Sequence, residues 1–88
     1  MIARKIVYEG KFDDATVADI FDITRKNDIT GEVKKIADNS VELLLEGDPS
    51  QIKLIQHQIE RKVKNAISGK SITSIPFQYY SGITFLNC

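Results

Sequence analysis

The segment Gly31–Gly47, GEVKKIADNSVELLLEG, constrains the fold of this chain more than any other stretch. Val33 and Lys35 fall on one side of a predicted strand, and the pair Asp38-Asn39 follows that strand. After the pair, the period-2 alternation continues with Val41, Leu43 and Leu45. Asp and Asn tolerate the positive φ angles of tight hairpin turns better than other non-glycine residues. The segment is therefore predicted to be a strand, a tight turn and a second strand.

A helix is predicted on each side of this hairpin. Asp13 or Asp14 caps the first helix, because a carboxylate accepts the free amide protons of a first turn. Its buried stripe consists of Val17, Ile20, Phe21 and Thr24, and we expect the helix to end at Asn27-Asp28. Asp48 and Pro49 start the second helix, which we expect Ser68-Gly69-Lys70 to stop. The buried stripe of the second helix consists of Ile52, Ile55, Ile59 and Val63.

Further strands are predicted at both ends of the chain. Residues 4–9 form the first strand, and the C-terminal region contains three short strand-like pieces. These pieces are Ile72–Ile75, Phe77–Tyr80 and Ile83–Leu86, the first of them broken off by Pro76. The predicted fold class is α+β, a ferredoxin-like split βαβ sandwich of order β-α-β-β-α-β. It has an antiparallel sheet of four or five strands with two helices on one face, in a single domain over residues 1–88.

Charge and composition exclude several classes of function. Twelve basic residues balance twelve acidic residues, so the chain lacks the field of a general nucleic-acid or anionic-membrane binder. No apolar run approaches the roughly 18 residues of a membrane span. The only cysteine, Cys88, cannot form an intramolecular disulfide, which suits a reducing cytoplasmic location. His57 is predicted to be an ordinary surface histidine and Cys88 to be incidental, and we expect no metal and no cofactor.

The central hairpin resembles that of acylphosphatases, which carry the pattern G-x-V-x-N-x-x-D-G-x-V-E followed by a turn and a helix. The matching positions here are Gly31, Val33, Asp38, Val41, Glu42 and then Gly47, with Asn39 in place of the pattern's second glycine. Acylphosphatases hydrolyse carboxyl-phosphate bonds without metal or cofactor. The resemblance implies the same fold and, as an expectation, a phosphate site before the first helix.

The two essential catalytic residue types of the family, an arginine and an asparagine, are absent from the matching positions of this chain. In the family, a loop G-x-V-Q-G-V-x-[FY]-R cradles the phosphate, its arginine clamps the phosphate, and an asparagine of the second strand orients water. The loop equivalent here consists of Gly10, Lys11, Phe12, Asp13, Asp14, Ala15 and Thr16. The arginine position is Ala18, or Val17 if the alignment slips by one, and the asparagine position is Lys35. No residue of this chain is therefore a confident catalytic candidate.

The loop is also acidic where a phosphate would dock. Asp13 and Asp14 offer the free amides of the helix a built-in carboxylate, although Lys11 and Lys35 offset part of that charge. Lys35 is interpreted as a solvated strand lysine rather than a phosphate anchor. The leading hypothesis is an impaired or inactive acylphosphatase-like domain that acts as a small binding or interaction module. The competing hypothesis is a divergent acylphosphatase that binds a small anion or acyl phosphate through Lys11 or Lys35.

The aromatic residues near the C-terminus allow two interpretations. We interpret them as core and edge packing rather than as a base-stacking surface; they are Phe77, Tyr79, Tyr80 and Phe85. An exposed edge strand that carries such residues also offers an interface for a homodimer or a protein partner.

The chain also resembles blue-light-sensing flavin (BLUF) domains. The similarity comprises Tyr8, Arg25-Lys26-Asn27, Ile29-Thr30-Gly31 and Leu45-Glu46-Gly47. Leu43 replaces the flavin-contacting glutamine of those domains, so this third reading implies a degenerate domain without photochemistry.

Overall fold

The computed structural model describes residues 1–87, which form a five-stranded sheet with two helices. The elements are β1 (Ile2–Gly10), α1 (Asp14–Arg25), β2 (Thr30–Ala37), β3 (Ser40–Gly47), α2 (Pro49–Lys62), β4 (Ile67–Ser74) and β5 (Ile83–Asn87). The strand order is β4-β1-β3-β2-β5. This architecture confirms the predicted α+β ferredoxin-like fold. Cys88 lies outside the described residues, and within them neither helix is long and apolar enough to cross a membrane.

The sheet is mixed rather than wholly antiparallel. Three strand pairs are antiparallel, but β5 runs parallel to β2, with Gly31 opposite Ile83. The direction of β5 follows from residues 75–82, here called the strap, which connect the two edge strands on the sheet face opposite the helices. The predicted strand over Phe77–Tyr80 is wrong, because this part of the strap has no regular structure. Its amides donate to a side chain instead of to a neighbouring strand.

Both helix starts follow the sequence prediction, but the end of the second helix does not. Asp13 accepts a hydrogen bond from the Thr16 amide at 2.8 Å, and Asp48 accepts one from the Ser50 amide at 2.9 Å. Helix α2 ends at Lys62, well before the predicted stop at Ser68-Gly69-Lys70. Those three residues belong to β4, where pairing with β1 satisfies their backbone groups better than a lone last turn would.

The hydrophobic core fills the space between the helices and one face of the sheet. Its fully buried members on the strands are Ile6, Tyr8, Val33, Val41, Leu43 and Leu45, and those on the helices are Ile20, Ile55 and Ile59. The predicted period-2 and helical stripes therefore meet in one apolar layer. On the other face of the sheet, the strap covers the end where β1, β3 and β2 lie side by side.

Candidate functional site

A cleft of about 280 Å³ opens beside the first turns of α1. It is lined by Asp14, Val17, Ala18, Phe21, Lys35 and Phe85. The cleft thus brings together Ala18 on α1 and Lys35 on β2, which are far apart in sequence and occupy the arginine and asparagine positions of the acylphosphatase pattern. Lys11, the other basic residue of the predicted phosphate loop, is exposed and does not line the cleft.

Lys35 is the cationic group of this cleft, and its side chain is only 15% exposed. The interpretation of Lys35 as a solvated lysine is therefore wrong, because its position on β2 directs it to the helix-covered side of the sheet together with Val33. Its Nζ lies 3.8 Å from Asp14 Oδ1 and 4.0 Å from Asp38 Oδ1. Both distances exceed those of hydrogen bonds, and both carboxylates are fully exposed, so each ion pair is weak.

The first three amides of the predicted phosphate loop donate to carbonyl groups of the protein itself. The Gly10 amide donates to Asn39 at 3.0 Å, the Lys11 amide to Ala66 at 2.8 Å, and the Phe12 amide to Asp38 at 3.4 Å. The approach of Ala66 is so close that a Cβ at Gly10 would lie 1.7 Å from its carbonyl oxygen. These contacts tie the loop to the hairpin turn and to the turn before β4, so these amides are not free to bind an anion.

A carboxylate already occupies the start of α1. Asp13 accepts from the Thr16 amide, and its carbonyl oxygen accepts from Val17 at 3.0 Å. The hydrogen bonds from Thr16, with a smaller contribution from Lys35, lower the pKa of Asp13, so this carboxylate stays ionised. Within residues 1–87 the amides of Asp14 and Ala15 have no hydrogen-bond partner. What remains of the predicted anion site is these two amides and the largely buried side chain of Lys35, which lines the same cleft.

Phe85 on β5 closes the apolar side of the cleft, a role that the sequence reasoning missed. Its ring contacts Phe21 with a centroid separation of 5.7 Å and a tilt of 57°. The parallel pairing of β5 with β2 puts Phe85 opposite Val33 and so next to α1. An aromatic residue in a late strand gives no local signal of that neighbour, since the register of β5 depends on the path of the strap.

A partly buried polar network lies under α2. Tyr8 donates to Glu60 at 3.0 Å, and Lys70 donates to the other oxygen of Glu60 at 2.9 Å. Burial, followed by the charge and hydrogen bond of Glu60, raises the pKa of Tyr8. Burial also acts to raise the pKa of Glu60, but the hydrogen bonds from Lys70, Gln56 and Tyr8 outweigh burial and lower it. The network anchors α2 to β1 and β4.

The other candidate residues from the sequence do not join a site. His57 is exposed on α2, as predicted, and Cys88 lies outside the described residues. Among residues 1–87, no three His, Cys, Asp or Glu side chains are close enough to hold a metal ion.

The strap encloses an acidic residue that the sequence reasoning did not single out. Glu46 is only 3% exposed, and its carboxylate accepts hydrogen bonds from the amides of Gln78, Tyr79 and Tyr80. The Tyr80 hydroxyl donates to Glu32 at 2.6 Å. Along β3, Glu46 lies at a position that the period-2 pattern predicts to face away from the core. It is buried because the strap, a segment distant in sequence, covers it. No local sequence pattern signals such a partner.

No family model and no curated protein matches the sequence, whereas solved structures with the same fold do. An acylphosphatase from Bacillus subtilis superposes with a TM-score of 0.84 at 17% identity, covering 97% of this chain and 98% of that one. An acylphosphatase from Coxiella burnetii gives 0.82 at 19% identity, with coverages of 96% and 90%.

A bacterial light-regulated adenylyl cyclase gives a TM-score of 0.69 at 11% identity, covering 99% of this chain and 27% of that one. Identities this low show that the fold is shared, and they show nothing about chemistry. The chain therefore has an acylphosphatase-like fold, and its function is argued from its own residues.

Proposed function

We propose that this chain is a non-catalytic binding module built on the acylphosphatase fold. The observation that carries the proposal is the hydrogen bond between the Asp13 carboxylate and the Thr16 amide, at the position where a phosphate oxygen would have to bind. The Thr16 amide is thus not available to phosphate, and Ala18, at the arginine position, supplies no guanidinium in its place. An incoming phosphate would meet an ionised carboxylate instead of a free donor, and it would lack the bidentate clamp that holds phosphate in one orientation.

The electrostatics of the cleft support the same conclusion. Lys35 is the only cation that lines the cleft in the described part of the chain, and two aspartates, Asp14 and Asp38, lie within 4.0 Å of its ammonium. A bound phosphate would have to displace these carboxylates from Lys35 and would then remain close to them. Lys35 also cannot replace an asparagine in orienting the attacking water. An asparagine amide both donates and accepts hydrogen bonds, whereas an ammonium only donates them.

Hydrolysis of benzoyl phosphate, followed by its change in absorbance, tests this proposal. We expect the wild-type protein to match the uncatalysed rate. Turnover that Lys35→Ala abolishes, while Lys34→Ala on the opposite face of β2 preserves it, would reverse the proposal. We expect turnover to appear when four residues of the family pattern are introduced together. The substitutions are Asp13→Gln, Asp14→Gly, Ala18→Arg and Lys35→Asn. They remove the carboxylates of Asp13 and Asp14 and restore the arginine that clamps phosphate.

We further propose that the module contacts its partner through the edge strand β4. This strand is an outer strand of the sheet, it is eight residues long, and Lys70 is its only charged residue. Ile72 on β4 is 39% exposed. Long edges with few charges accept an added strand readily, and proteins that avoid such pairing usually protect their edges with charges, bulges or proline.

Measurement of the solution mass tests whether the partner is a second copy. A dimer that Ile72→Lys converts to a monomer supports pairing through β4. The matched control is Leu54→Lys, at an exposed apolar position of α2 rather than of β4, and it should leave the mass unchanged. A dimer that resists Ile72→Lys would place the interface elsewhere, and a monomeric wild type would exclude a homodimer.

We also propose a cytoplasmic location, because the balanced charge and the single cysteine suit it.

A second candidate function is a divergent acylphosphatase, which the burial of Lys35 favours. The Lys35 ammonium and the free amides at the start of α1 are donors that one phosphate oxygen requires, and Lys35 and Asp14 line the same cleft. The benzoyl phosphate assay separates this candidate from the binding module directly.

The third candidate, a degenerate BLUF-like domain, rests on the shared fold. In this chain Leu43 is fully buried in the core, and the Tyr8 hydroxyl donates to Glu60. A buried leucine cannot supply the hydrogen bonds of the flavin-contacting glutamine that it replaces, which counts against flavin photochemistry. We expect no change in the absorbance spectrum of flavin mononucleotide when the protein is added, and a shifted flavin spectrum would revive this candidate.

A further inference from the structure

We propose that a pocket between the strap and the end of the sheet binds an organic cation bearing a methylated ammonium group. The pocket has a volume of about 460 Å³ and is lined by Met1, Thr30, Glu46, Phe77, Tyr79 and Tyr80. It lies on the face of the sheet opposite the helices, whereas the cleft of Lys35 lies on the helix face. The proposal is therefore independent of the function proposed for that cleft.

The pocket contains a buried carboxylate, that of Glu46. Glu46 is buried, and none of the ion pairs found within residues 1–87 involves it. Three backbone amides hold its carboxylate but do not neutralise its charge. Burial, the hydrogen bond to Glu32, and the charges of Glu32, Glu46 and Glu42 together raise the pKa of Tyr80 to about 12. Several carboxylates therefore act on the same region, and a positively charged ligand would lower its electrostatic energy.

Aromatic rings form the wall of the pocket beside this carboxylate. The rings of Phe77 and Tyr79 stack with centroids 5.7 Å apart and an interplanar angle of 27°. Tyr80 adds a third ring, which its hydrogen bond to Glu32 holds in place. Aromatic faces carry negative charge density and attract cations, and carboxylates near such faces strengthen that attraction.

The backbone at Tyr79 is strained, yet its side chain is not part of the core. Tyr79 has a φ of +59°, a conformation that a bulky residue rarely adopts, and it is 84% exposed. The hydrogen bonds of Gln78, Tyr79 and Tyr80 to Glu46 hold the strap in this conformation. A strained, exposed aromatic residue beside a buried charge is typical of a ligand site, where such strain is retained for function.

The hydrogen-bonding state of Glu46 favours a methylated ammonium over a primary one. Its oxygens already accept three amide hydrogen bonds, so little acceptor capacity remains for a ligand with several N–H donors. A quaternary ammonium makes no such demand and interacts through its charge and its methyl groups. The same chemistry occurs in free quaternary amines and in trimethyllysine side chains of protein tails, and the experiment distinguishes these two sources.

A titration followed by amide NMR tests the proposal on the full chain. Choline is compared with 3,3-dimethylbutanol, which has nearly the same shape but no charge. We expect choline to cause saturable shifts of the Gln78, Tyr79 and Tyr80 amides and to bind about 3- to 30-fold more tightly than the alcohol. A trimethyllysine peptide that binds more tightly than choline points to a protein tail as the natural ligand, and a weaker peptide points to a free amine.

Substitutions at Tyr79 provide the control, because an exposed side chain can be replaced without unfolding the domain. Tyr79→Phe keeps the ring and should retain choline binding, whereas Tyr79→Leu keeps an apolar side chain without the ring and should weaken binding by about 3- to 30-fold. Equal affinity for choline and the alcohol, unchanged binding in Tyr79→Leu, or the absence of saturable shifts at the strap would each overturn the proposal.

Discussion

Replacement of Glu46 by glutamine should destabilise the protein far more than its position near a strand end would indicate. The carboxylate accepts from three strap amides, with the Gln78 and Tyr79 amides on one oxygen and the Tyr80 amide on the other. A glutamine has only one acceptor oxygen, so its NH₂ group must face at least one of these amides. The variant therefore loses at least one charge-assisted hydrogen bond and leaves a partly buried N–H unsatisfied.

The expected cost of Glu46→Gln is about 2–3 kcal/mol, the upper part of the range for one hydrogen bond to a charged group. For a domain of this size that corresponds to a fall in Tm of about 8–24 °C. Urea denaturation followed by circular dichroism measures the free energy of unfolding, and hydrogen exchange at Gln78–Tyr80 shows whether the strap opens first. Glu9→Gln removes the same charge from an exposed position of β1 and is the matched control. Equal stability of the two variants would refute the reasoning.

Three further predictions concern the sheet and the cleft. Gly31→Ala should cost at least about 3 kcal/mol by urea denaturation, because Gly31 has a φ of +152° and a Cβ there would lie 1.8 Å from the Leu44 carbonyl oxygen; a fully stable variant would contradict this packing. Lys35→Met should change stability by no more than about 1 kcal/mol, since the ammonium has only weak partners and its removal leaves exposed carboxylates; a larger loss would mean that Lys35 is a structural cation. The lowered pKa of Asp13 means that its contribution to stability is present above its unfolded-state pKa and is lost as the pH falls through the folded-state value. The Tm difference between wild type and Asp13→Ala should therefore be largest at neutral pH and shrink in acid, and a difference independent of pH would count against an ionised cap.

The sequence predicts those parts of the fold that local chemistry determines. The helix starts at Asp13 and Asp48 depend on carboxylates that accept hydrogen bonds from amides of their own first turns. The hairpin turn at Asp38-Asn39 also falls where predicted, although neither residue has the positive φ on which that prediction relied. The apolar stripes fix which side of each element faces the core. These signals suffice for the element order, and hence for the fold class, because few topologies accommodate that order with short connections.

Long-range pairing explains what the sequence did not predict. The early end of α2 depends on the pairing of β4 with β1, and the parallel direction of β5 depends on the path of the strap. The burial of Lys35 and Glu46 has the same origin, since each lies on a strand whose cover comes from a distant segment. A period-2 pattern shows that two faces exist, but it does not show what covers the second face.

The proposed loss of catalysis requires that the loop before α1 does not bind phosphate, and this can be measured directly. The measurement is an amide NMR titration of the wild-type protein with inorganic phosphate, with sodium chloride at matched ionic strength as the control. We predict no saturable shift for the amides of residues 10–18, because the Asp13 carboxylate holds the Thr16 amide and the Gly10, Lys11 and Phe12 amides donate to carbonyl groups. Saturable shifts centred on Asp14, Ala15 and Thr16 would contradict it and would restore this loop as a phosphate site.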